Sequence, residues 1–187
     1  MVSDAMRQSE NPADIAALHR VWRNTLRYDA PFDFDCFLLY LEQNRLPQDR
    51  FYQPRRRVLK RTVDALQRLA DDELDELFLL QPPRTGKSTL MILFICWVMG
   101  RNSEHPNLYC SYSDTITAAF YNGVLEILQD KDTYLYHEIF PCSVIARTNA
   151  KEETLDLDRR KHYPSLTCRS LYGTLNGACD AERGFII

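Results

Sequence analysis

The octapeptide at positions 81–88 carries the side chains best suited to bind phosphate. It reads Gln-Pro-Pro-Arg-Thr-Gly-Lys-Ser and ends in the order glycine, lysine, hydroxyl that phosphate-binding loops use. In such a loop, successive backbone N–H groups and the start of the following helix converge on the phosphates. Lys87 can reach the β- and γ-phosphates, and the Ser88 hydroxyl can ligate magnesium. We therefore predict a nucleotide site, although Gln81 stands where the general pattern has glycine.

The other residues of this loop have narrower roles. A Cβ at Gly86 would crowd a bound phosphate. Arg84 can contact a γ-phosphate through its guanidinium, or it can simply face solvent. Thr89 adds a second hydroxyl, but Ser88 has the correct spacing for the metal. The predicted lining of the site is Gln81, Pro82, Pro83, Arg84, Thr85, Gly86, Lys87, Ser88 and Thr89.

The segments around the loop predict an α/β fold with a parallel sheet flanked by helices. The unbroken apolar run Leu77–Leu80 is typical of a strand buried on both faces, and Ser88–Met99 reads as an apolar helix that ends at Gly100. Asn107–Tyr112 predicts a second strand. The helix expected next has a cap at Ser113 or Asp114 and an apolar face formed by Ile116, Phe120, Val124 and Ile127. Strands that alternate with helices favour a parallel sheet.

The N-terminal part predicts a helical region at 1–50, before an α/β domain at 51–187. Apolar residues recur at helical spacing within 11–44, and Ala30-Pro31 breaks the pattern. The contacts expected between these two helices come from Ile15, Leu18, Val21, Trp22, Phe34, Phe37, Leu38 and Leu41. A third helix is expected after Pro54, with Leu59, Val63, Leu66 and Ala70 on one face.

The C-terminal part is less regular. Thr154–Leu157 and Ser165–Leu171 are expected to be strands, paired as a hairpin around the polar tract Asp158–His162. Gly173–Glu182 reads as a loop. Gly184–Ile187 begins another apolar strand, in which the sequence stops, as is typical of a fragment.

Composition restricts the class of protein. The 187 residues are 45% hydrophobic with a net charge of −3, which excludes collagen-like and strongly disordered chains and a globally basic nucleic-acid binder. The stretch Arg45–Arg68 is the local exception, because it contains eight basic residues and only two acidic ones. It is either a solvated helix or a polyanion-binding patch. The six cysteines are spread singly, which argues against zinc and indicates reduced thiols. With no signal peptide or membrane span in the sequence, we expect a cytosolic protein.

Several segments together resemble the ATPase domain of the large terminase subunit of tailed bacteriophages and prophages. The loop from Leu80 to Ser88, with its prolines and arginine in place of a first glycine, carries most of the resemblance. Phe51-Tyr52-Gln53-Pro54-Arg55 resembles the adenine-side segment of that family, and Asn107–Asp114 resembles its strand-to-helix passage. Thr174–Ala178 resembles the loop before its second carboxylate motif. The resemblance covers roughly residues 45–187.

The resemblance implies an ATP-driven motor that moves viral double-stranded DNA into a capsid inside the bacterial host. It implies ATP and Mg²⁺ as cofactors, phosphate contacts by Lys87 and Arg84, metal ligation by Ser88, and adenine contact by Tyr52 and Gln53. The implied partners are DNA, the small terminase subunit, the portal and further copies of the chain in an oligomeric ring, with no membrane.

The chain also departs from that family. The Phe185 strand should lead into paired acidic residues, yet Asp180 and Glu182 precede it, and no nuclease domain is present. The family also places a further strand between the Leu77 strand and the Phe185 strand, and some relatives supply a trans-acting arginine where this chain has Asn176. The substitutes for that arginine are Arg183 and Arg169. From these departures we expect poor ATP hydrolysis and marginal solubility.

Two other functions stay open. A small-molecule kinase would need an arginine-rich lid, for which the chain offers only Arg159–Lys161, a tract that equally fits a charged turn. A catalytically inert nucleotide-binding or assembly module would use the helical region to contact a partner. For DNA, the Arg55–Arg61 cluster is expected either to touch the phosphate backbone or to face an acidic surface of a neighbouring subunit.

Overall fold

The computed structural model describes residues 12–172, 181 and 183–186. Its helices are α1 (Pro12–Asp29), α2 (Phe34–Leu41), α3 (Tyr52–Ala70), α4 (Lys87–Arg101), α5 (Asp114–Gln129) and the single turn α6 (Tyr136–Ile139), with a 3₁₀ turn at Pro47–Asp49. Its strands are β1 (Asn107–Ser111), β2 (Ile145–Asn149), β3 (Thr154–Leu157), β4 (Leu166–Ser170) and β5 (Arg183–Ile186). None of the described helices combines the length and apolarity needed to cross a bilayer.

The sheet is mixed. Within the described residues its order is β2-β3-β4-β1-β5; β1 runs parallel to β4 and β5, whereas β3 is antiparallel to both β2 and β4. The α/β class and the β3–β4 hairpin are therefore confirmed. The predicted parallel pairing is present for β1 with β4 and β5, but the sheet as a whole is mixed. The reason is local, because the short connection between β3 and β4 can only join antiparallel neighbours. The sequence prediction also missed β2, whose middle residues are exposed.

Helix α4 forms the centre of the core between the helical layer and the sheet. The Phe34 ring of α2 packs against Phe94 and Trp97, each at 5.1 Å between centroids, and Phe94 also meets Phe185 of β5 edge-on at 5.9 Å. Its apolar sequence is thus explained by burial on nearly every side. The predicted stop at Gly100 is wrong, since α4 continues to Arg101 and Gly100 gives room to an adjacent Phe140 ring.

The N-terminal helices largely follow the prediction. The break near Ala30-Pro31 separates α1 from α2, and the stripe Leu59, Val63, Leu66 and Ala70 of α3 is buried. Helix α1 differs, because Val21 is exposed and Ile15, Leu18 and Trp22 are only partly buried. Its apolar stripe therefore contributes less to the core than the spacing suggested.

Two carboxylates of the α2 region fix the start of α3. The Asp35 carboxylate accepts hydrogen bonds from the Tyr52 hydroxyl and from Arg56, the latter at 2.6 Å. The buried Glu42 carboxylate accepts the backbone N–H groups of Phe51 and Tyr52 at 2.9–3.0 Å. The bonds to Glu42 satisfy backbone N–H donors that the start of a helix leaves without intrahelical partners. They also set the position of Phe51.

The predicted strand at Leu77–Leu80 is wrong. Residues 76–82 belong to no helix or strand, and the side chains of Phe78 and Leu80 are 84% and 95% exposed. A strand needs a neighbour for its backbone hydrogen bonds. The segment instead faces β5 across a cavity of about 360 Å³ that Leu77, Phe78, Leu79 and residues 184–186 line together, so the apolar run lacks a pairing partner.

Candidate phosphate-binding site

The backbone of the loop bends twice into the left-handed region. Arg84 has φ of +64° and Gly86 has φ of +91°, a conformation that is costly for residues with a Cβ and routine for glycine. Changes between right- and left-handed backbone can turn consecutive N–H groups to the same side of the chain, which creates a concave site for an anion. The loop therefore has backbone geometry suited to phosphate.

Helix α4 begins directly after this loop. Its N-cap is Gly86, which has no side chain, and no side-chain hydrogen bond caps the helix. The first N–H groups of an α-helix have no intrahelical acceptors, and they carry the positive end of the helix dipole. An anion at this helix start would supply the acceptors that a capping side chain provides elsewhere.

Four side chains of the predicted site remain available to a ligand. Within the described part of the chain, Arg84, Lys87, Ser88 and Thr89 form no side-chain hydrogen bond or ion pair. Lys87 is half-buried, and the other three are exposed. Two basic groups and two hydroxyls without partners among the described residues thus lie beside the uncapped start of α4.

Lys87 lies beside β5. It lines the same cavity as residues 184–186, which make up most of that strand and include its carboxyl end. Ligands of parallel α/β sheets usually bind near the carboxyl ends of the strands. Met91, Leu66 and Leu69 line the cavity with apolar side chains. The cavity therefore brings the lysine close to β5, although Leu77–Leu80 form no strand.

Two other polar residues of the loop, Gln81 and Thr85, have partners inside the protein. The Gln81 side chain donates from Nε2 to Thr62 Oγ1 of α3 at 2.6 Å. The Thr85 hydroxyl lies 3.0 Å from the Pro82 carbonyl oxygen and 3.4 Å from Gln81 Oε1. Gln81 and Thr85 thus hold the loop together, and direct contact with a ligand falls to the backbone and to residues 84 and 87–89.

Phe51 is a site residue that the sequence prediction missed. A Cβ added to Gly86 would lie 2.5 Å from the Phe51 ring, so this ring, besides any phosphate, requires glycine there. The Arg55 guanidinium lies 5.3 Å from the centre of the same ring. The sequence signal was the aromatic pair Phe51-Tyr52 upstream of the loop, but it does not show which ring faces the loop.

Of the two residues expected to contact adenine, only Gln53 is accessible. Tyr52 is fully buried and its hydroxyl donates to Asp35, so the structure does not place it where a base could bind. Burial and the hydrogen bond to Asp35 raise the pKa of Tyr52 above its ordinary value. Gln53 is exposed and accepts a hydrogen bond from Arg50 at 2.6 Å.

The candidate trans-acting arginines already have partners within the chain. Arg169 bonds the Glu152 carboxylate at 2.9 Å, and Arg183 lies 3.8 Å from the carboxylate of Asp72. The remaining residues of this prediction lie outside the described residues: Thr174–Ala178 with Asn176, Asp180 and Glu182. The geometry of the described chain therefore gives neither arginine a free guanidinium.

The basic stretch also divides into paired and unpaired residues. Arg56 bonds Asp35, Lys60 pairs with Asp64, and Arg68 pairs with Glu73. Arg57 and Arg61 of α3 are exposed and have no bonding partner in the described part of the chain. Arg50 and Arg55 donate only to carbonyl and amide oxygens. Within the described residues, the basic side chains of this stretch without a carboxylate partner are therefore Arg50, Arg55, Arg57 and Arg61.

The tract Arg159–Lys161, considered above as a kinase lid, is bonded to neighbouring residues of the protein. Arg159 pairs with Glu104 at 2.9 Å, and Lys161 bonds the Ser103 carbonyl oxygen and, at 2.9 Å, Ser165 Oγ. This is the arrangement of a charged turn.

Among the described residues, no group of three or more histidine, cysteine or acidic side chains is placed to hold a metal. Magnesium at this site would depend on the Ser88 hydroxyl and on phosphate oxygens, which is how Mg²⁺ commonly binds beside nucleotides. Neither the models of known protein families, nor curated proteins, nor solved structures include one that matches this chain.

Proposed function

We propose that this chain binds ATP with Mg²⁺ at residues 81–89 and is the ATP-binding part of a DNA-packaging motor of the terminase large-subunit type. The observation that carries the nucleotide site is the unpartnered Lys87 beside the uncapped start of α4 and the left-handed Gly86. The proposal of a packaging motor rests on this geometry together with the sequence resemblance to the terminase large subunit. The cytoplasm of a bacterial host is the location that it implies.

Each group of the loop has a distinct task in this proposal. The first N–H groups of α4 bind phosphate oxygens, Lys87 neutralises the β- and γ-phosphates, and Arg84 contacts the γ-phosphate from the exposed side. The Ser88 hydroxyl would hold Mg²⁺, which neutralises charge on the phosphate oxygens when bound. The exposed arginines of α3 contact the backbone of double-stranded DNA without reading its sequence. Further copies of the chain, the small terminase subunit and the portal complete the proposed motor.

Lysine removal tests the nucleotide site. Lys87→Ala should weaken binding of ATP and Mg²⁺ by about 10- to 100-fold, because it removes a charge-assisted contact to phosphate. Isothermal titration calorimetry measures the dissociation constant, and Lys151→Ala, which changes an exposed lysine in the turn before β3, is the matched control. Equal affinity of Lys87→Ala and the unchanged protein, or no binding by either at millimolar ATP, would contradict the proposal.

A second candidate function is an assembly module that binds nucleotide without turnover. The partly buried apolar stripe of α1, formed by Ile15, Leu18 and Trp22, favours contact with another protein. Release of inorganic phosphate separates the two functions. A motor releases phosphate faster when duplex DNA is added, whereas an assembly module binds ATP with no DNA-stimulated release.

A further inference from the structure

The phosphate-binding loop is attached to α3 at two points. The Phe51 ring at the start of α3 packs against Gly86, and Thr62, three turns further along, accepts a hydrogen bond from Gln81. Residues 51, 55, 58 and 62 are spaced by three or four, so they share one side of the helix. The two attachment points therefore hold opposite ends of the loop against one rigid element.

This attachment matters because the sheet does not hold the start of the loop. Residues 76–82 form no strand, so the hydrogen bonds that would fix them to a neighbouring strand are missing in the described structure. The loop's far end is fixed by α4. At its near end, the side chain of Gln81 is linked to a regular element by its hydrogen bond to Thr62 of α3, at 2.6 Å.

From this we infer that Thr62 is a positioning residue of the nucleotide loop, acting through Gln81. The Gln81 amide lies between Thr62 on one side and the Thr85 hydroxyl, 3.4 Å from Oε1, on the other. Thr62 thereby sets the position of Gln81 and, through Thr85, the curvature of the backbone before Gly86. A loop held in its binding conformation loses less conformational freedom when the anion binds, which increases affinity. This inference rests on the proposed function.

A double-mutant cycle tests the role of Thr62. Thr62→Val removes the hydroxyl and keeps the shape, so it should weaken ATP binding about 3- to 10-fold, the effect of one hydrogen bond. Thr62→Ser should restore affinity to within about twofold. In a Gln81→Leu background, Thr62→Val should cause no further loss, because the partner is already gone. Thr115→Val, on the exposed face of α5, is the control for the substitution itself.

Backbone NMR relaxation of the loop without nucleotide gives a second readout. Thr62→Val should lower the order parameters of the amides of residues 84–87, and Thr115→Val should not. Unchanged order parameters in Thr62→Val, or the same loss of ATP affinity in the Gln81→Leu background as in the unchanged protein, would overturn the role of Thr62. Absence of ATP binding by the unchanged protein, together with lower order parameters in Thr62→Val, would instead overturn the proposed function and leave the attachment of the loop in place.

Discussion

The Asp35 carboxylate illustrates how one charged group can hold two helices together. Burial alone raises the pKa of Asp35, but hydrogen bonds from Arg56 and Tyr52 and the charges of Arg56 and Lys60 outweigh burial, so the pKa lies below its ordinary value. The ionised form is therefore the one that the folded protein favours. By linkage, Asp35 stabilises the fold at pH values above the ordinary carboxyl pKa, and this contribution is lost as the pH falls through the lowered pKa.

Substitution of Asp35 should destabilise the protein in a pH-dependent manner. Asp35→Ala leaves the buried Tyr52 hydroxyl and the Arg56 guanidinium without their acceptor, which should reduce the free energy of unfolding by about 2–4 kcal/mol at neutral pH. Urea denaturation measures this difference, which should shrink in acid. Asp64→Ala, which breaks an exposed pair with Lys60, should cost less than about 1 kcal/mol. A difference independent of pH would show that the charge of Asp35 is unimportant.

At the residue scale, the sequence revealed the groups that could bind phosphate but not their neighbours. The order of glycine, lysine and serine at 86–88 is local, so it could be read directly. The contacts of Gly86 with Phe51 and of Gln81 with Thr62 join residues far apart in the chain, and no spacing rule predicts them. Tyr52 was a candidate ligand because the sequence does not show that its hydroxyl is buried on Asp35.

At the scale of elements, α3 has two different sides. Its buried side packs on the core, whereas Arg57 and Arg61, one turn apart, are exposed and unpaired within the described residues. The sequence predicted a basic cluster from Arg55 to Arg61, but it could not show that Arg56 pairs with Asp35 and Lys60 with Asp64. The surface left for the proposed DNA contact is therefore smaller than the count of basic residues suggested.

The arginines of α3 allow a direct test of DNA contact. Joint replacement, Arg57→Ala with Arg61→Ala, should weaken duplex DNA binding equally for unrelated sequences and reduce the slope of log affinity against log salt by about 2. Fluorescence anisotropy across a salt series measures both quantities. Arg159→Ala, which alters the ion pair with Glu104 elsewhere on the surface, is the control. An unchanged salt slope would exclude α3 as the contact.

The two errors among the predicted strands, Leu77–Leu80 and β2, have physical reasons. Helix α3 forms its backbone hydrogen bonds within its own segment, and its apolar residues recur at helical spacing on one buried side. This periodicity can therefore be read from the segment alone. A strand such as Leu77–Leu80 requires a partner strand, and the apolar pattern carries no information on whether that partner is present. The prediction missed β2 for the opposite reason. This strand does pair with β3, but its middle residues are exposed and leave little apolar pattern in the sequence.

At the scale of the whole molecule, three exposed apolar side chains lie around the strand β5. Within the described residues β5 pairs only with β1, and the exposed side chains of Phe78, Leu80 and Ile186 lie on or near the cavity beside it. An open strand edge next to exposed apolar side chains favours association between chains. We therefore assign the expected marginal solubility to the region around β5.

Polar replacements in this region should reduce self-association. The change Phe78→Ser with Leu80→Ser removes large exposed side chains with few contacts, so it should lower the aggregated fraction without lowering the melting temperature by more than about 2 °C. Light scattering over a concentration series measures association. Val144→Ser, an exposed apolar residue before β2, is the control. Unchanged association, or a large fall in melting temperature, would show that the segment packs more tightly than the structure indicates.

The packing of α4 connects the proposed nucleotide loop with the first two helices. The 15 residues of this helix form a rod of about 22 Å, which begins at Lys87 and, near its other end, donates a hydrogen bond from Trp97 to Ala30 between α1 and α2. Close-packed neighbours lie on nearly every side of the rod, so a shift of its first turn would strain contacts along its length. If the proposed nucleotide shifts that turn, we expect the junction of α1 and α2 to respond.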